Sequence, residues 1–262
     1  QVHTPLEAKP EKVAKYVEKA DILGLNLLET FSEDENFPCE HKRDQKVKRR
    51  LLQSDPIYAG MIESLDESVG RILDLIDSEG IANETVIIFT SDNGGLATSE
   101  GSPTCNAPLA EGKGWMYEGG TREPLLIRWP NNVAQNAICS TPVTSPDFFP
   151  TLIEIAGLKS KSDHDIDGIS ILPLLKGETA VHRDAIYWHY PHYGNQGGTP
   201  GSAIRCGNYK LIEFFEDNRV ELYNLRVDIE ENVNLAKHEP IVRKELHDML
   251  ISWREKVEAK IP

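Results

Sequence analysis

Apolar residues recur at steps of 4, 3, 4, 3 and 4 from Tyr58 through Ile62, Leu65, Val69 and Ile72 to Ile76. That alternation keeps the side chains on one face of an α-helix. Asp55 and Pro56 supply an N-cap and a first-turn proline, and Gly80 supplies a stop, so the pattern predicts a helix between them. The period then changes. "TVIIF" is a nearly unbroken apolar run that suits a strand covered on both faces, and it ends abruptly in "TSDNGG". "PLLIRW", from Pro124 to Trp129, reads as a second strand. "KPEKVAKYVEKADILGL" has helical composition with Pro10 near its start, and "SPDFFPTLIEIAG" reads as a short helix closed by Gly157. From about residue 183 the texture shifts to short strand-like runs ("DAIYWHY", "SAIRC", "YKLIEFF", "RVELYNL") separated by turn residues, the pattern of an antiparallel sheet. A last helical stripe, Val242, Leu246, Met249, Trp253 and Val257, follows Pro240.

Helix, short loop, apolar strand and Gly-rich loop make an α/β pattern, in which ligands gather at the carboxyl ends of strands. Asp92 and Asn93 stand at such an end. Turn chemistry alone also accounts for Asp, Asn and Gly there. The loop that follows, residues 91–122, is too long for a plain connection in a compact domain and carries Lys113 between Gly112 and Gly114, then Glu118 and Arg122. Flanking glycines let the backbone approach a ligand closely while the lysine presents a point charge. Asp92 and Asn93 offer hard oxygen donors, which suit Ca²⁺ or Mg²⁺. Glu118 and Arg122 read better as a structural pair than as ligand contacts. A second Gly-rich stretch, "YWHYPHYGNQGG", brings His189, His192 and Tyr193, either as a substrate subsite or as packing and turn residues.

Composition narrows the partners. A net charge of −14 argues against a nucleic-acid backbone as ligand, and the basic run "HKRDQKVKRR" reads first as a solvated face. No apolar run approaches the roughly 18 residues of a membrane span. The four cysteines form no CxxC pair and leave the redox compartment open.

"VIIFTSDNGG" followed by "GKGWMYEGGTREPLLIRWP" resembles the second half of the type I sulfatases, alkaline-phosphatase-like enzymes with a formylglycine nucleophile. "VHTPL", "SPDFFPTLIEIAG", "DGISILPLLKG" and "YKLI" leading to "LYNLRVDIEENVNLA" resemble it too, in the family's order over nearly the whole chain. The resemblance implies an alkaline-phosphatase-like α/β sheet with flanking helices over residues 1–180. A small antiparallel β subdomain with a packed helix would follow over 181–262. It implies Asp92 and Asn93 as ligands of Ca²⁺ (or Mg²⁺), Lys113 as the sulfate contact, and His3 as sulfate binder or proton donor to the leaving group. His189, His192 and Arg122 are expected to contact the organic part of a sulfate ester. Such chemistry asks the protein mainly to position groups and neutralise charge.

The family's C-x-P-x-R or S-x-P-x-R motif is absent, as is its strand-end pair of acids. The chain is therefore expected to be the C-terminal part of a sulfatase, partnered by the N-terminal half of the same protein and inactive alone. An exported location is the family's habit. The alternatives are a phosphomonoester or phosphonate hydrolase of the same superfamily, and a non-catalytic module that binds sulfated ligands.

Overall fold

The computed structural model describes residues 2–159 and 166–262. They form two compact units. The first gathers the chain up to Ile72 with Thr90–Pro124 and Tyr187–Pro262, and the second gathers Leu73–Phe89 with Leu125–Ile186.

The first unit opens with helix α1 (Pro10–Ile22), its proline in the first turn as expected. A two-residue pairing follows, β1 (Phe31–Ser32) antiparallel to β2 (Arg49–Arg50). Helix α2 (Pro56–Ser78) begins where Asp55 Oδ1 accepts the amides of Ile57 and Tyr58 at 3.0 and 2.9 Å, a side-chain N-cap. Its apolar stripe is less covered than the periodicity predicts, since Ile62 and Ile72 are exposed and Gly60 and Met61 are its buried residues. Gly60 packs against the chain entering α1, for a Cβ there would lie 3.0 Å from that of Ala8 and 3.3 Å from that of Lys12.

The core of this unit lies in a four-stranded sheet of order β5 (Ile186–Tyr190), β6 (Gly201–Cys206), β7 (Tyr209–Phe214), β8 (Val220–Asn224). The pairs β6–β7 and β7–β8 are antiparallel, with Ile204 opposite Leu211 and Leu211 opposite Leu222. Ala203, Ile204, Leu211, Ile212 and Leu222 are fully buried, because the sheet is covered on both sides. On one face Ile212, Phe214, Ala203 and Tyr223 pack with Met116 of the long loop. Glu213 points to the other face, where it meets Arg254 and His247 of helix α6. That helix, α3 to α5 being short elements described below, runs Pro240–Lys256 and buries Leu246, Leu250 and Arg254. The predicted stripe sits beside this seam, and Trp253 stacks on Tyr187 with centroids 4.8 Å apart.

The second unit contains the ribbon of β3 (Ile87–Thr90) and β4 (Leu125–Arg128). Burial of "TVIIF" on both faces is not observed: Phe89 and Leu126 are exposed. Among the described residues β3 pairs only with β4, and the two strands are half-buried to exposed along their length. Helix α4 (Phe148–Ile155) is fixed by Asp147, which is fully buried. Its carboxylate accepts the amides of Thr144 and Ile169 at 2.8 and 2.9 Å and pairs with Arg183. Short helix α5 (Leu172–Leu175) buries Leu172 and Leu174.

Between β3 and β4 the chain forms the first unit's long loop and the one-turn helix α3 (Glu118–Thr121). Glu118 is buried and meets Lys210 at 3.0 Å, Arg205 at 3.3 Å and Arg122 at 3.7 Å. Lys210 is fully buried and also pairs with Glu231 at 3.3 Å, while Glu231 accepts the Glu118 amide at 2.6 Å. Removing one partner of such a set leaves an uncompensated buried charge. Lys210→Met is expected to cost about 3–5 kcal/mol in urea unfolding. Burial pushes the Glu231 carboxyl up to about 7 against the attraction of Lys210. The folded state holds this proton to higher pH than the unfolded chain, so the stability tied to it is full in acid and falls as pH rises towards 7. Glu231→Gln is expected to flatten that fall in a plot of Tm against pH.

Candidate functional site

The site grows from the end of β3, where Asp92 is exposed and Asn93 half-buried. The loop beyond is long but tightly pinned. Gly94 donates its amide to Gly120 O at 3.3 Å, and a Cβ on Gly94 would lie 1.8 Å from Gly119 O, so only glycine fits this crossing of two backbones. Asn106 staples the next turn: its Oδ1 accepts the Gly95 amide at 3.0 Å, and its Nδ2 donates to Gly95 O and Glu111 O at 2.9 and 2.8 Å. Lys113 then donates its own amide to Gly95 O at 3.2 Å. These bonds lay the Asp92–Asn93 turn beside the strand of backbone that carries Lys113.

Lys113 Nζ lies 3.2 Å from His3 Nε2, so residues 110 positions apart in sequence meet side chain to side chain. His3 Nδ1 is 2.9 Å from Thr4 O. A ring nitrogen facing a carbonyl must carry the hydrogen, so a neutral His3 presents the Nε2 lone pair to the lysine. Next to them Glu100 accepts from Thr4 Oγ1 at 2.9 Å and Asn195 Nδ2 at 2.8 Å. The Thr4 hydroxyl first, then the Asn195 amide, hold its carboxyl below the usual range.

Glu123 adds a third oxygen donor near Asp92. Its Oε1 is buried without a hydrogen-bond partner, and burial first, then the negative charge of Asp92, raises its carboxyl to about 7. Two facing carboxyls and an amide are the donor chemistry of a hard divalent cation. The set is incomplete, for no group of three or more His, Cys, Asp or Glu able to hold a metal occurs among the described residues. Asp92 and Asn93 fit such an ion as part of its shell, with further oxygens needed from outside these residues.

The other candidates have different surroundings. Arg122 is half-exposed and pairs with Glu118 one helical turn away. Both ring nitrogens of His189 are taken, by Ser202 Oγ at 2.7 Å and Lys260 O at 2.8 Å, and its ring leans on Phe215. His192 is exposed and meets Tyr190 edge-on, with centroids 5.2 Å apart. The basic run spends its charges locally: Lys48 on Glu33, Arg49 on Glu111 and Glu35, Arg50 on Asp55. Sequence reasoning passed over Asn106, Glu100 and Glu123. Each sits in a loop whose local pattern has no period, and their roles come from partners distant in sequence.

Comparison with known proteins bears on the family and the fold. Residues 1–158 match the family model described as Sulfatase, and residues 111–256 match that of N-sulphoglucosamine sulphohydrolase, C-terminal. A sulfatase of Formosa agariphila is 36% identical over 242 residues, covering 86% of this chain and 42% of that protein. The crystal structure of Ps i-CgsB in complex with k-i-k-neocarrahexaose superposes with a TM-score of 0.73 at 27% identity, covering 96% of this chain and 47% of that one. BT4656 in complex with its substrate D-glucosamine-2-N,6-O-disulfate gives 0.66 at 27% identity, covering 80% and 42%. The chain thus spans less than half the length of each of these relatives. Its fold is the α/β fold of these enzymes with a small C-terminal sheet, and the chain belongs to the sulfatase family.

Proposed function

We propose that this chain is the C-terminal part of a sulfatase that hydrolyses R–O–SO₃⁻ to an alcohol and sulfate. The observation that carries the reading is the Lys113–His3 pair at 3.2 Å, beside the pinned Asp92–Asn93 turn. In this reading Lys113 shares the charge on the sulfate oxygens. His3, in its imidazolium form, gives the departing alkoxide the proton on Nε2, and Lys113 keeps its charge on the sulfate. Asp92 and Asn93 contribute to the shell of Ca²⁺ (or Mg²⁺), which when bound supplies Lewis acidity and a template for the sulfate. The formylglycine nucleophile belongs to the preceding part of the protein, outside this chain. We assign Arg122 and His189 to holding the fold, since their polar atoms are engaged there. His192 remains as a contact for the organic group, with the exposed ring of Tyr193 beside it.

Two features support membership of a longer chain. Among the described residues β3 and β4 pair only with each other, so their outer edges are open, as those of a wider sheet would be if its other strands lay elsewhere. The chain also spans 42% of the Formosa agariphila sulfatase. We place the boundary between the catalytic α/β part and the C-terminal sheet and helix near residue 180. No helix among the described residues is long and apolar enough to cross a membrane, and we propose an exported enzyme. A sulfated saccharide is the favoured substrate, as BT4656 acts on a sulfated glucosamine.

The test is sulfate release, measured by ion chromatography, from glucosamine 6-sulfate, galactose 4- and 6-sulfates and 4-nitrophenyl sulfate. The enzyme is expressed from the complete reading frame containing this chain. Activity on at least one ester is expected, lost in chelator and restored by Ca²⁺. Lys113→Ala is expected to lower kcat/KM by roughly 10²–10³. The 262-residue chain alone is expected to release none, and turnover by it would refute the division of labour proposed here. A preference for phosphate monoesters would point to the alternative hydrolase class.

A further inference from the structure

Glu100 has a backbone φ of 51°, a left-handed conformation that a long side chain adopts only when its surroundings impose it. From that conformation its carboxylate takes bonds from two distant segments. Its Oε2 accepts Thr4 Oγ1 at 2.9 Å, and its Oε1 accepts Asn195 Nδ2 at 2.8 Å and Gln196 Nε2 at 3.3 Å. The same two loop residues are gripped through their carbonyls. Asn195 O accepts Lys42 Nζ at 2.5 Å and Ser99 Oγ at 3.2 Å, and Gln196 O accepts Thr98 Oγ1 at 2.8 Å. The loop also lies against the backbone beside Lys113: a Cβ on Gly198 would fall 1.8 Å from Gly114 O. One exposed carboxylate thereby ties the His3–Thr4 segment to the loop that carries His192 and Tyr193. A carboxylate has about four lone-pair sites, and three are used.

We propose that Glu100 is a specificity-determining residue for the organic part of the substrate. It fixes the 190–198 loop relative to the His3–Lys113 pair, and its remaining lone pair accepts a hydroxyl of a sugar ring. This rests on the sulfatase reading and deepens it. Stability alone does not explain the residue, because exposed polar contacts contribute little while the left-handed backbone costs energy that glycine would avoid.

The test compares Glu100→Gly and Glu100→Gln with wild type in the enzyme from the complete reading frame, using the same four esters. Glu100→Gly is expected to keep or raise Tm, since it relieves the backbone, and to speed amide exchange across residues 190–198. For sugar sulfates kcat/KM is expected to fall about 10-fold or more, carried mainly by KM, the size of one lost hydrogen bond to a charged group. For 4-nitrophenyl sulfate, which has no hydroxyl, the fall is expected to be several-fold smaller. Equal falls for both ester types, or a loss that tracks a lowered Tm, would overturn the proposal and leave the sulfatase reading standing. Absence of sulfate release by wild type from all four esters would instead overturn the sulfatase reading.

Discussion

The buried ion cluster around Glu118 is the constraint on which the rest of the first unit depends. Two carboxylates and a lysine sit where water cannot reach them, with a half-buried arginine at their side, and each is tolerable only because the others are in place. Glu118 belongs to the loop that begins at Asp92, and Lys210, Arg205 and Glu231 belong to the C-terminal sheet and its sequel. The attraction therefore works as a positional lock. It sets where the loop's carboxyl-terminal half can lie, and the Gly94–Gly119 crossing and the Asn106 staple transmit that placement back to Asp92 and Lys113.

The protein is strongly acidic, yet its proposed ligand is an anion. The local arrangement resolves the conflict. Arg49, Arg50, Arg205 and Lys210 are each spent on a neighbouring carboxylate. Lys113 has an imidazole as its side-chain partner instead, with no direct ion pair to a carboxylate among the described residues. Glu123 and Asp92 lie on the opposite side of the balance, two carboxyls whose repulsion a divalent cation would relieve.

Elements with a clear period or a clear stop were legible in the sequence: α2 with its Asp55 cap, α6, and the four strands after residue 183. What periodicity could not supply was the depth of cover. Ile62 and Ile72 lie on a regular stripe yet remain exposed, and the seam of α6 runs through Leu246, Leu250 and Arg254 rather than through Val257. A stripe records which face is apolar, whereas burial depends on what else is present to lie on it. At the site, Asp92, Asn93, Lys113 and His3 stood out through residue chemistry and the family's motifs. Glu100, Asn106 and Glu123 did not, because a carboxylate or amide in a loop becomes informative only once its distant partners are known.

The first unit is built from three stretches of chain, with the second unit's residues inserted between them. The Glu118 cluster closes only when Lys210 and Glu231 arrive, more than ninety residues after Glu118 itself. During synthesis the loop bearing Lys113 must therefore wait, its carboxylate still hydrated, until the last strands have left the ribosome. Contacts of such long sequence separation are slow to form, since the intervening loop must be closed before they stabilise anything. The order of emergence thus makes assembly of the site a late event in this protein's folding, and truncation anywhere before β6 would leave that loop without its anchor.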